Sequence, residues 1–511
     1  MRVDPIPAPP SRHEHSSTHA LDILFVFFIV NLSMQPPVEP DFGWHLRAGL
    51  DFLDQGGRLP THDPYSHTMA DWPWVEHAWL ADAMLAVLYR AFGTAGSLAV
   101  MLWFAAVAVA ALLIGATPAR ASRTPRLAAI VASLWVALPF LGARTQLVSL
   151  AGIALVLWLY HRIVRGRTAF IWLYPPLFCL WANLHGGFTA GLAILGVILA
   201  ASMMLRLAGM RWASLIQFHE PLLPDTQLTS FAASVLLSCG ATVVNPYGWR
   251  LHREIYQSLS DRFMLEQLRE WQPLSFEGWA GTAFLLYLIV VTVLAFLWYR
   301  RVEPIRWTLL TVSLVWAFWH WRNVTIFLVV AVPLVAELLQ AGSTSLAQLI
   351  PPARRGAVVL VLTFMTGLVL VLLDGDHLER LVSAGTEPEK FFRQTEYPIE
   401  AIAWVKANRD QVGRRLYNDY GYGGFLLWWM PEEKIFIDGR MPAWRIGDRA
   451  IFSDYMTIST GAPEAHGLLE KYRVDWGLIQ RDSPLAVMLA GDPAWRQLYR
   501  DGKVVIVRRN Q

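Results

Sequence analysis

The sequence predicts an α-helical integral membrane protein with a C-terminal α/β domain, and three observations carry that prediction. Of the 511 residues, 55% are hydrophobic, and they gather in runs of membrane length. Arginines fall in alternate connections between those runs. After Leu373 the apolar runs give way to short, mixed helix and strand patterns. A net charge of +3, with no Lys/Arg-rich stripe, argues against a nucleic-acid partner. The 24 Trp suit long lipid–water boundaries. Cys179 and Cys239 both sit in apolar runs, which predicts buried, unpaired thiols.

The N-terminus through His19 is polar and reads as a short cytoplasmic tail. Leu21–Met34 follows as the first membrane helix. It carries Asp22 and Asn31 and lacks a small-residue cleavage site, so it is kept rather than removed as a signal. Further runs at 97–116, 127–142, 146–163, 169–182, 187–206, 229–244, 281–299, 306–320, 323–340 and 356–374 bring the expectation to about eleven transmembrane helices. Arg120, Arg123 and Arg126 share one connection, and Arg162, Arg165 and Arg167 share another. Arg206 with Arg211, Arg300, Arg301 and Arg306, and Arg354 with Arg355 mark the next. The positive-inside rule places these connections in the cytoplasm with the N-terminus. The remaining connections then face outward: residues 35–96, Gly142–Thr145, Asn183–Gly187, Asn245–Ala280, His320–Asn323 and the tail. The expected division is a membrane domain over 1–374, with an outward first loop at 35–96, and a soluble α/β domain over 375–511 on the outward, periplasmic side.

Pro40–Trp79 is the densest polar stretch, with Asp41, His45, Asp63, His67, Asp71, Glu76 and His77 in a chain only 16% charged. Asp41 and His45 are four apart, so a helix starting at Asp41 puts them on one face. Asp41 is either a helix cap or a surface carboxylate that takes a proton from an acceptor hydroxyl or steadies a cation, with Glu39 beside it. His45 would relay that proton or bind phosphate. GGRLP ends the helix. Asp63 precedes Pro64, a frequent turn, and ranks second as a site residue. WPWVEHAWLADAMLAVLYRAFG reads as an amphipathic interfacial helix, with Glu76 and His77 on its solvated face.

Arg144, in the tight turn GARTQ, and Arg322, in WHWRN with His320, are outward arginines against the charge bias. Guanidinium pairs two phosphate oxygens at once, so both are candidate phosphate ligands. Asn183 and His185 lie near membrane depth in WANLHGGF, and Gly186 and Gly187 suggest close approach there. The segment from Arg250 to Phe276 predicts interfacial helix, carrying Glu254 and Glu270. In the tail, IEAIAWVKANRD predicts a helix. RRLYN, KIFID and DWGLIQ predict strands, the first two around GYGGFLLWWM, and WRQLYRDGKVVIVRR predicts a hairpin turning at Asp-Gly. DGR at 438–440 reads as a turn. No P-loop, dinucleotide fingerprint or repeat is present.

With these residues laid out, the chain resembles polytopic GT-C glycosyltransferases, which place an acidic residue in the first outward loop, followed by interfacial helices, further spans and often a C-terminal outward domain. VEPDFGWHL matches the place and type of that acidic residue. DFGWHL, DPYSHT, WVEHAWL, NLHGGF, NPYGW, EWQPLSF, RNVTIFL and NDYGYGGFLLWW…KIFIDGR together resemble a bacterial group of large membrane proteins assigned to glycosyl transfer. The resemblance implies transfer of a sugar from a polyprenyl-phosphate-linked donor to a glycan, lipid or protein acceptor, at the periplasmic face of the inner membrane. It implies a catalytic role for Asp41, with Glu39 the alternate. Two departures leave the acceptor and any divalent metal open: Phe42, not a second acid, follows Asp41, and WWM at 428–430 runs into Pro431. Two other classes carry over from the residues alone. A transporter or flippase for a lipid-linked or anionic solute predicts ionisable residues inside several spans and repeated halves. A non-catalytic assembly protein predicts that the tail alone carries function.

Overall fold

A computed structural model describes residues 23, 25–212, 223–347 and 377–510. The chain opens with a helix, α1, over residues 25–33. Then come α2 (Phe42–Asp54), α3 (Trp79–Ala91), α4 (Gly96–Ala116), α5 (Arg123–Ala137), α6 (Leu147–Val164), α7 (Tyr174–Leu184), α8 (Phe188–Trp212), α9 (Asp225–Ala241), α10 (Trp249–Ser260), α11 (Arg262–Gln267), α12 (Gly278–Trp298), α13 (Pro304–Trp319) and α14 (Val324–Ala347).

Among the described residues, five helical segments are long and apolar enough to cross a membrane: Gly93–Ala116, Leu147–Val164, Phe188–Ala208, Gly278–Arg301 and Trp321–Thr344. Four other predicted runs are helices of only 15, 11, 17 and 16 residues (α5, α7, α9 and α13). At 1.5 Å per residue none of these reaches the roughly 30 Å of a hydrocarbon core unaided. Proline is part of the reason: Pro139 sits in the short 3₁₀ turn after α5, and proline opens α7 and α13. The run at 356–374 lies outside the described residues, as does the N-terminal tail. Of the about eleven expected spans, five are displayed at full length among the described residues.

The bundle packs around α14, whose residues from Val324 to Leu338 are almost all buried. Tyr174, Phe178, Trp181, Phe284 and Phe327 belong to the same buried core. On α12 the outer face exposes Leu286, Ile289, Val290, Val293, Phe296 and Leu297, an apolar strip that suits lipid rather than water. Cys239 is exposed on α9 and Cys179 is half-buried on α7. Both thiols are free, but neither is buried as expected, because helix faces turned to lipid keep apolar residues outside.

One end of the bundle collects arginines. Arg306 donates to the Pro118 carbonyl (2.6 Å) and pairs with Glu337 (2.9 Å), and Arg126 donates to the Ala119 carbonyl (3.0 Å). The opposite end carries α2, α3, α10, α11 and the tail. In the tail, β1 (Leu416–Asn418), β4 (Trp476–Gln480), β5 (Trp495–Arg500) and β6 (Val504–Arg509) form one sheet in the order β1-β4-β6-β5. The β1–β4 pair is parallel and the others are antiparallel, with β2 (Arg445–Ile446) and β3 (Arg449–Ala450) as a separate ribbon. The closing hairpin forms as expected.

KIFID is not a strand. Only Ile435 bridges, and it bridges Ser66 of the opening stretch. GYGGFLLWWM, between RRLYN and KIFID, forms a 3₁₀ turn and a helix, Gly423–Trp429. KIFID differs from expectation because it satisfies its backbone against residues 65–68 rather than within the tail's sheet. Ile435 N–H donates to Tyr65 O (3.0 Å), His67 N–H to Ile435 O (3.1 Å), and Thr68 Oγ1 to Phe436 O (2.6 Å). Met69 and Trp72 are buried with Phe436, Ile437 and Trp444. The opening stretch and the tail thus share a core.

Candidate active site

The site begins at α2. Asp41 stands at its N-cap position, with φ −85° and ψ −17°, but makes no side-chain cap. Its carboxylate accepts instead from Trp44 Nε1–H (3.0 Å). Two close approaches fix this end of the chain. A Cβ on Gly43 would strike the Gly424 carbonyl, so α2 and the Gly423–Trp429 helix cross backbone to backbone. A Cβ on Gly439 would strike Asp41 Oδ1, so the DGR segment lies against the carboxylate.

Around Asp41 opens a cavity of about 700 Å³. Of the sequence candidates, Glu39, Asp41, His45, His77, Arg144, His185, His320 and Arg322 line it, drawn from four separate connections. Asp63 and Asn183 do not. Asp63 is buried, accepting from Ser66 N–H (2.9 Å) and Ser66 Oγ–H (2.5 Å) and pairing with Arg440 (2.8 Å). Asn183 spends its amide on helix packing: its Nδ2 donates to the Cys179 and Val244 carbonyls (2.8 Å each), and its Oδ1 accepts from Trp79 Nε1–H (3.1 Å).

Glu76 and His77 are not on a solvated helix face. The helix starts only at Trp79, because residues 72–74 pair with 61–63: Trp74 N–H donates to Thr61 O (3.0 Å) and Asp63 N–H to Trp72 O (2.9 Å). The loop that results turns Glu76 inward, leaving it 4% exposed.

Each cavity arginine already holds a carboxylate. Arg144 pairs with Glu39. Arg322 lies over the Trp271 ring at 4.2 Å, donates to Glu270 (3.0 Å) and reaches Gln146 Oε1 (3.3 Å). Two of the cavity histidines have defined tautomers. His320 Nδ1–H donates to the Trp271 carbonyl (2.6 Å), which leaves its Nε2 as an acceptor. His185 Nδ1 accepts from Gly187 N–H (2.9 Å), so its proton sits on Nε2. His45 Nδ1 and Asp82 Oδ1 share one proton at 2.7 Å, a contact either ring tautomer satisfies.

Burial, and then the charge of Glu39, pushes Asp41 up to about 6. Glu39 is also raised by burial, against the pull of Arg144. Burial and Asp82 push Glu76 up to about 8, and burial, then His45, lowers His77 to about 3. A carboxylate poised near neutrality beside donors and an aromatic wall can accept a proton from a hydroxyl.

Sequence reasoning passed over Arg440, read as part of a turn. It is buried, pairs with Asp63 and Asp438, and is ringed by Trp44, Tyr65, Trp74 and Trp444 at 5.0–5.9 Å. Its partner Asp63 is 377 positions away, a distance no local pattern reports. Toward the bundle the cavity wall turns apolar, with Leu150, Ile153, Ile255, Leu259, Trp316 and Ile326.

No family model matches the sequence, and no curated protein matches it. Solved structures do. ArnT from Cupriavidus metallidurans bound to undecaprenyl phosphate aligns with TM-score 0.56 at 14% identity, covering 97% of this chain and 98% of that one. The oligosaccharyltransferase of Archaeoglobus fulgidus in the apo form aligns with TM-score 0.52 at 10% identity, over 92% of this chain and 70% of that one. The chain has the GT-C glycosyltransferase fold. AglB from Archaeoglobus fulgidus, in complex with an inhibitory peptide and a dolichol-phosphate, gives TM-score 0.51 at 11% identity, with the same coverage. The GT-C likeness takes in the tail as well as the bundle. At such identities it speaks for the fold, and the roles of side chains rest on the cavity itself.

Proposed function

We propose that this protein transfers a sugar from a polyprenyl-phosphate-linked donor to an acceptor hydroxyl at the periplasmic face of the inner membrane. The observation that carries the reading is the cavity: a half-buried, proton-accepting carboxylate, two arginines, and an apolar wall continuous with the spans. A lipid phosphate-sugar has the same polarity sequence, with an apolar tail, an anionic link and a polar head. ArnT was solved with undecaprenyl phosphate and AglB with a dolichol-phosphate, ligands of that chemistry.

In this reading the donor enters between spans and lays its tail along Leu150, Ile153 and Ile326. Its phosphate takes Arg144 and Arg322 from Glu39 and Glu270. Asp41, oriented by Trp44 Nε1–H, removes the acceptor proton. The acceptor oxygen then bonds the anomeric carbon as the carbon–oxygen bond to phosphate breaks, and the leaving phosphate's charge is met by the two guanidiniums. His185 offers a fixed Nε2–H donor to the same region. Asp63 and Asn183 act in this scheme only as scaffold.

The test is a comparison of envelope glycans and glycolipids by mass spectrometry in cells carrying no copy, the wild type, or Asp41→Asn. A product present with wild type and missing with Asp41→Asn, while purified Asp41→Asn still binds undecaprenyl phosphate, supports the reading. Full product with Asp41→Asn overturns it.

A further inference from the structure

Behind Asp41, one helical turn into α2, lies a cluster that glycosyl transfer as proposed leaves unused. His45, Glu76 and Asp82 are 5%, 4% and 1% exposed. One ligand atom from each lies within 4.8 Å of the others. His45 Nδ1 and Asp82 Oδ1 are in contact at 2.7 Å. The other carboxylate oxygen, Asp82 Oδ2, is buried with no hydrogen-bond partner. Glu76 Oε1 accepts from Ala78 N–H alone (3.0 Å). Among the described residues, no lysine or arginine forms an ion pair with Glu76 or Asp82. A small cavity of about 20 Å³ touches both carboxylates, room for about one small ion or water.

Two buried carboxylates with a single imidazole between them lack positive charge, and an orphaned buried carboxylate oxygen is costly. Protons or a cation must supply the difference. We propose that His45, Glu76 and Asp82 bind one divalent first-row transition cation, of the zinc or manganese type, with water completing its shell. One imidazole and two carboxylates form a donor set suited to such ions. Bonds of about 2.1 Å put tetrahedral ligand atoms about 3.4 Å apart, so His45 and Asp82 need separate by less than about 1 Å. The three ligands come from α2, the loop before α3, and α3. The ion is a positioning element: it ties these segments together and stiffens the helix end that presents Asp41, without touching that carboxylate.

The experiment counts metal rather than turnover, so it stands whether or not the transfer reading does. Full-length protein in nanodiscs is stripped with chelator, given equimolar Zn²⁺ or Mn²⁺, desalted, and analysed for bound metal by mass spectrometry. Wild type is expected to keep about one ion per chain. Asp82→Asn and Glu76→Gln are expected to keep less than about a tenth of that, and Asp71→Asn, on the exposed surface, to match wild type. Metal should also raise the melting temperature of wild type and not of the two cluster variants. A stripped wild type that takes up less than about a tenth of an ion of either metal overturns the proposal and leaves protons as the neutralising charge. So does equal uptake by wild type, Asp82→Asn and Glu76→Gln. Should either variant fail to fold, the wild-type uptake and melting shift decide alone.

Discussion

Asp41 is where one residue carries the most. Its carboxyl is raised to about 6, first by burial and then by Glu39. A general base works in its ionised form, so the transfer rate should be level above that value and fall about tenfold per pH unit below it. Asp41→Asn should lower the rate by roughly 10²–10⁴ and remove this acid limb from a pH–rate profile. Stability has the opposite sign. A raised carboxyl favours the folded state below the ordinary carboxylate range, and that contribution is lost as pH rises through about 6. Arg440 gives a second prediction of different character. Replacing it by Met leaves Asp63 and Asp438 as buried, unpaired carboxylates, at a cost of about 3–5 kcal/mol. Chemical denaturation of Arg440→Met in nanodiscs checks it; an unchanged midpoint would mean the two acids take up protons without loss. The two residues also mark what the sequence discloses. That Asp41 lies among the polar groups of the cavity was legible because helix spacing, loop position and composition all act locally. Arg440 was not, because its significance lies in partners near the other end of the chain.

At the scale of elements, the interlock between the opening stretch and the tail governs the site. Gly43 and Gly439 both face neighbours without room for a Cβ, but the neighbours differ. At Gly43 the obstacle is the Gly424 backbone carbonyl, which cannot swing aside. At Gly439 it is the Asp41 carboxylate, which can. Gly43→Ala should therefore destabilise the fold by about 1–3 kcal/mol, whereas Gly439→Ala should leave the fold nearly intact and lower activity by displacing the carboxylate. Melting temperature measured beside product formation separates the two. Helices were readable here because their apolar periodicity is written into consecutive residues. KIFID was misread because tertiary pairing of Ile435 and Phe436 with residues 65–68 overrode its strand-like composition. Glu76 was misplaced for a related reason: the bridge between 61–63 and 72–74 ends what looked like a longer helix and turns the side chain inward.

The whole molecule has two unlike ends, and this polarity is what a membrane would read. Arg120, Arg126 and Arg306 gather at one end through contacts with Glu303, Ala119 and Pro118. The cavity, the amphipathic α10 and the tail gather at the other. The positive-inside rule predicts that the arginine end faces the cytoplasm. The connections it sends outward are those that converge on the cavity, although the rule takes no account of their acids, histidines or aromatics. Charge bias and the convergence of polar turns therefore sort the connections into the same two ends, and the charge rule alone predicts which end faces the cytoplasm. That orientation can be tested without any substrate. With Cys179 and Cys239 replaced by Ser, Asp482→Cys in the tail and Arg165→Cys after α6 both put a thiol at an exposed position. In spheroplasts a membrane-impermeant maleimide should label the thiol at 482 directly and the thiol at 165 only after the membrane is opened. The reverse pattern would place the cavity in the cytoplasm. It would then face soluble nucleotide-sugar donors rather than lipid-linked ones, and the proposed donor would have to be abandoned together with the orientation.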